Sequence, residues 1–142
     1  MSYLFSLWSY PISLTLTLLT GVLLFWQYPG AKGTAGHVTR WALALALSIF
    51  VVYMNTVTVL NQPRVPITNP WHIRLMVFHQ NVGLIYFALM LVIPIPGLLL
   101  MFRGRLKMLG VRAAHKYLAY AAGTCWLISN LASEIGSRIP RT

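Results

Sequence analysis

Four long intervals without a single charged residue, 1–31, 41–63, 75–102 and 117–133, constrain this chain more than any other feature. A helix needs roughly 20 largely apolar residues to cross a hydrocarbon core about 30 Å thick, and each interval is of that order. The spacing predicts four spans, near 5–28, 38–61, 72–102 and 111–136. Residues 1–142 then form a single four-helix transmembrane domain, an all-α integral membrane protein with an up-and-down helical bundle. An ordinary soluble domain is excluded, because 8% of the residues are charged where about 25% is usual.

Turn-forming residues separate the intervals: Tyr28-Pro29-Gly30 and Lys32-Gly33, then Pro63, Pro66 and Pro70, then Arg103-Gly104-Arg105. Each connection is too short for a further domain. Within the third interval, Pro94 and Pro96 lack amide hydrogens and are expected to kink or end the helix early, which neighbouring helices tolerate in a bilayer. Trp8, Trp26, Trp41 and Trp71 fall near span ends, where an amphipathic ring favours the headgroup level. The first apolar run has no basic segment before it and no small-residue cleavage site after it, so it is expected to be a retained helix.

Eleven Lys and Arg face one acid, Glu134. The bases sit between the apolar intervals and not along one stripe, a distribution that points to a membrane and away from nucleic acid. The side of the membrane holding the first and third connections has Lys32, Arg40, Arg103, Arg105, Lys107, Arg112 and Lys116. The other side has Arg64, Arg74, Arg138 and Arg141. Seven against four predicts that the first side is cytoplasmic and both termini are on the non-cytoplasmic side, in a bacterial plasma membrane or a thylakoid-type membrane.

The chemistry available lies in four histidines. His37 and His115 begin the second and fourth spans on the same side, so they share a depth and are candidate axial ligands of one b-type haem iron. Small residues surround both: Gly33, Ala35 and Gly36 before His37, and Ala113, Ala114, Ala119, Ala121, Ala122 and Gly123 around His115. These leave room for a flat macrocycle, and Arg40, Arg105, Arg112 and Lys116 are placed to bind its propionates. A chlorophyll-type pigment or no cofactor are the alternatives, with both histidines then simply interfacial residues at helix starts.

His79 lies in the opposite leaflet, with Gly83 one turn later, and intramembrane polar residues are functional candidates by default. It has no histidine mate in this chain, which excludes a second bis-histidine haem within one copy; a homodimer would supply one. A mixed pair with Met54 and a structural histidine bonded to Asn55 or Asn130 are the other readings. His72, His79 and Glu134 form a possible second polar site, in which a carboxylate–imidazole pair would exchange protons with a quinol; the plainer reading pairs Glu134 with Arg138 one turn on. Cys125 is expected to be a packing residue. With one acid, one cysteine and no phosphate loop, hydrolytic acid/base chemistry and a thiolate metal site are excluded.

A weak internal repeat relates Gly21–Trp26, followed by His37, to Gly97–Phe102, followed by His115. With Gly36-His37-Val38-Thr39-Arg40, Phe78-His79-Gln80-Asn81-Val82-Gly83 and the basic Arg103-Gly104-Arg105 leading into Ala114-His115-Lys116-Tyr117, the chain resembles a small transmembrane di-histidine cytochrome b of the ascorbate- or quinol-reducible type. It is also similar to the four-helix membrane proteins of haem-copper oxidase maturation. The cytochrome resemblance implies haem ligands on the second and fourth helices, His37 and His115. It also implies a first-with-third pair, which fails here because the first helix offers only Tyr3. The expected function is therefore a membrane redox protein with one haem b, linked to quinone and to other membrane subunits. The competing expectation is a cofactor-free accessory or assembly subunit of a respiratory or photosynthetic complex.

Overall fold

The computed structural model describes residues 2–25, 34–61, 66–102 and 109–141, and among these every regular element is helical. The helices are α1 (Ser2–Phe25), α2 (Thr34–Asn61), α3 (Pro70–Val92), α4 (Pro94–Phe102) and α5 (Leu109–Arg138). They form two compact units, Met1–Arg64 and Val65–Thr142. The first unit is the α1–α2 hairpin; in the second, α3 and α4 run against α5.

Two stretches are long and apolar enough to cross a membrane, Gly36–Thr58 and Pro70–Leu99, and Pro11–Leu23 is a shorter apolar helix. The helices overlap the intervals expected near 5–28, 38–61, 72–102 and 111–136, with 26–28 outside the described residues. The third departs from one continuous rod, since a turn at Ile93 separates α3 from α4. Its cause is the expected one: Pro94 and Pro96 have no N–H to give the carbonyls of Met90 and Val92.

In the first hairpin the buried positions of α1 are Ser13, Thr20 and Gly21, and those of α2 are Ala44 and Ser48. The Ser13 hydroxyl donates to Asn55 Oδ1 across the pair at 3.0 Å. Hydroxyls elsewhere turn back on their own helix: Thr20 donates to Leu16 O and Ser48 to Ala44 O, each at 2.8 Å. An apolar surrounding has no water to satisfy such groups, so the carbonyl one turn earlier is their nearest partner.

The second hairpin is organised by a heptad rhythm on both strands of the pair. His72, Met76, His79, Gly83, Tyr86, Met90, Ile93 and Gly97 alternate steps of four and three, and all are buried or half-buried. On α5 the same rhythm runs through Val111, His115, Leu118, Ala122, Cys125, Ser129, Ala132, Gly136 and Ile139, again with none exposed. A period of seven keeps one seam facing its partner. The α5 seam is mostly small, which lets the helix backbones approach closely. A Cβ on Gly83 would meet Ser129 Oγ at 3.4 Å, one on Gly97 would meet His115 Cε1 at 3.4 Å, and one on Gly136 would collide with the terminal methyl of Met76.

The entry to α3 is fixed twice. Asn69 caps it, its side chain accepting from Trp71 N at 3.1 Å ahead of Pro70 in the first turn. The amides of Thr68 and Asn69 donate to the carbonyl of Arg141 at 2.9 and 3.2 Å, which ties the chain after α5 to the start of α3.

Candidate functional site: the histidine clasps

Three of the four histidines do the same thing in the second hairpin: each presents Nδ1 to a main-chain carbonyl of the opposing chain segment. His72 Nδ1 lies 3.3 Å from Ile139 O, His79 Nδ1 lies 2.8 Å from Ser129 O, and His115 Nδ1 lies 3.2 Å from Ile93 O. A carbonyl only accepts, so in each contact Nδ1 carries the hydrogen, and in a neutral ring Nε2 keeps its lone pair. This is the tautomer of an imidazole that binds a metal through Nε2 while a carbonyl orients it from behind.

His79 has the tightest arrangement. Its Nδ1 is also 2.9 Å from Ser129 Oγ, and that hydroxyl donates to the His79 carbonyl at 3.0 Å. Of the sequence expectations for His79, the hydrogen-bonded structural one holds, with Ser129 as the partner. Asn130 instead donates to Trp126 O at 2.7 Å, and Asn55 accepts from Ser13. Ser129 was not singled out by sequence reasoning. The signal that finds it is the run of small residues at steps of three and four, Ala122, Cys125, Ser129, Ala132 and Gly136.

His115 is half-buried and lies against Gly97 at the proline break. Ile93, whose carbonyl it holds, is the turn residue after α3, 14 residues beyond His79, about 21 Å along a helix. His79 and His115 therefore serve opposite ends of the hairpin. The small residues expected to make room for a macrocycle divide in two. Ala122 and Gly123 are buried, with Ala122 on the seam, while Ala113, Ala114, Ala119 and Ala121 are exposed.

His37 belongs to the first unit, in the opening turns of α2, and its side chain is exposed. One turn on, Trp41 Nε1 is a buried N–H without a hydrogen-bond partner among the described residues. An orphaned buried donor is costly, and Trp41 was read from sequence only as an interfacial anchor.

Of the proposed propionate binders, Arg40 is half-buried and donates Nε to Gly36 O at 3.3 Å. Arg112 and Lys116 are exposed on α5, and Arg105 lies outside the described residues. In the second polar site, Glu134 Oε1 accepts from Arg138 Nε at 3.0 Å and Nη2 at 2.8 Å. The plainer reading of Glu134, an exposed i,i+4 pair, is what the structure has. His72 and His79 stand seven residues apart on the seam, facing the carbonyls of Ile139, just past α5, and of Ser129 within it. Cys125 occupies a half-buried seam position, in keeping with a packing role. Among the described residues there is no group of three or more His, Cys, Asp or Glu arranged to hold a metal ion.

No family model matches the chain, and no curated protein or solved structure matches it either.

Proposed function

We propose that this chain is a four-span membrane subunit of a quinone-linked redox assembly, with His115 as an axial ligand of one b-type haem. The observation that carries the reading is the His115–Ile93 contact. An imidazole held from Nδ1 by a carbonyl, beside a glycine that gives it space, is pre-oriented to coordinate through Nε2. Ligation asks two things of this ring, the Nδ1–H tautomer and a fixed plane, and this contact supplies both.

In the first unit the Trp41 N–H, which has no hydrogen-bond partner among the described residues, is a donor suited to a quinone oxygen. Membrane crossing by α5 is supported by its dimensions. Residues 117–133 carry no charge, and Lys116 and Glu134 bracket them at about 27 Å along a helix, close to the hydrocarbon thickness.

One observation favours a second reading, a cofactor-free accessory subunit: the same clasp recurs at His72 and His79, which lack a ligating mate. Histidine would then be this hairpin's means of locking two helices. The readings separate on the purified protein. One haem per chain, with reducible, split visible bands, supports the first; a folded, colourless protein after expression with ample haem supports the second.

A further inference from the structure

We propose that the exposed face formed by Arg112, Lys116 and Tyr120 at the start of α5 binds the phosphate-bearing headgroups of anionic phospholipids. The inference rests on the membrane reading above and adds a partner and a place.

The three residues are spaced by four, so they line one side of the helix, and all are exposed. Lys116 Nζ stands 5.6 Å from the centroid of the Tyr120 ring, which orders the ammonium over an aromatic face without neutralising it. Charge neutralisation has to come from outside this chain. Residues 103–116 carry five bases and no acid, and the chain's one acid, Glu134, is eighteen residues beyond Lys116 and paired with Arg138. At about 27 Å along the helix it stands at the other end of the uncharged stretch.

Depth selects the anion. The uncharged stretch 117–133 ends at Lys116, so Arg112 and Lys116 stand where the hydrocarbon gives way to headgroups, with Tyr120 one turn inside that boundary. The anion plentiful at that depth is the lipid phosphate, and juxtamembrane bases bind anionic leaflets by this attraction. At the opposite end of the hairpin Arg138 has Glu134, and Arg74 lies over Trp71 at 5.4 Å as Lys116 lies over Tyr120, but as one base and not as two spaced by a helical turn.

The test uses the full-length protein in nanodiscs of phosphatidylcholine, with and without added phosphatidylglycerol, followed by native mass spectrometry of retained lipid. Wild type should retain phosphatidylglycerol in preference to phosphatidylcholine. The Arg112→Gln/Lys116→Gln variant should lose about thirty-fold of that preference, roughly fivefold per base, and Arg74→Gln should keep it. Equal retention of both lipids, an unchanged double variant, or loss only in Arg74→Gln overturns the proposal. So does a double variant that loses haem while its lipid preference stays, since these bases would then serve propionates. If the double variant does not accumulate, the salt dependence of wild type decides: a preference that fades with salt supports the site, and a salt-insensitive one overturns it. Failure of the membrane reading shows differently, as wild type that does not float with vesicles.

Discussion

His79 and Ser129 bind each other in both directions: the imidazole Nδ1–H is shared by the Ser129 carbonyl and hydroxyl, and that hydroxyl donates to the His79 carbonyl. Two helices are thereby locked in register through groups that an apolar medium would otherwise leave unpaired. Ser129→Ala removes the returning hydroxyl but leaves the carbonyl, so it is expected to cost less than His79→Ala. In membranes such interhelical bonds average about 0.6 kcal/mol and reach about 1.7. A double-mutant cycle on unfolding in bicelles should give a coupling within that range, and additive losses would show that the two groups act independently.

Gly136 and Met76 make a steric prediction. Gly136→Ala places a methyl where the end of the Met76 side chain lies, and because that flexible end can swing aside the variant should carry only a small loss. Pairing it with Met76→Ala should recover part of the loss by vacating that space. Gly97→Ala meets His115 only at ordinary contact distance and should be tolerated, whereas Gly97→Leu should push the ring off the Ile93 carbonyl. Thermal unfolding of the four variants checks the order.

Glu134→Gln removes an exposed i,i+4 pair, the Arg138 side chain being 78% exposed. The expected cost is at most about 0.5 kcal/mol, with assembly and any quinol-linked reduction nearly unchanged. A pH-dependent loss of that reduction in an otherwise well-assembled variant would instead give Glu134 a part in proton exchange.

Trp41→Phe deletes a buried N–H that has no partner among the described residues. In the cofactor-free protein this should be neutral or stabilising, because an unsatisfied buried donor costs about 1–3 kcal/mol. If the donor serves a bound quinone, the same variant should lose retention of that group. Comparing stability with and without quinone separates the two effects.

The sequence made some of this legible and concealed the rest, for physical reasons. Charge-free intervals locate the helices because a long apolar run between charged turns is a local signal, and Pro94 and Pro96 announce the break because a missing N–H is a local fact. Ser129 was not legible in the same way. Its role depends on which α5 residue falls opposite His79, and that register is a property of the pair. The alanines near His115 were open to two uses, close helix packing or cofactor space, and Ala122 went to packing. Glu134 with Arg138 was readable because both partners lie on one helix turn.

The most direct test is the visible spectrum of His115→Ala beside that of His79→Ala, each purified from cells supplied with haem. Both histidines hold a carbonyl across the same hairpin, so both variants lose a clasp, and the comparison isolates ligation from packing. The account predicts a reducible low-spin b-type spectrum in wild type, retained in His79→Ala and lost or turned high-spin in His115→Ala. A folded wild-type protein without haem, or a low-spin spectrum that survives in His115→Ala, would contradict it.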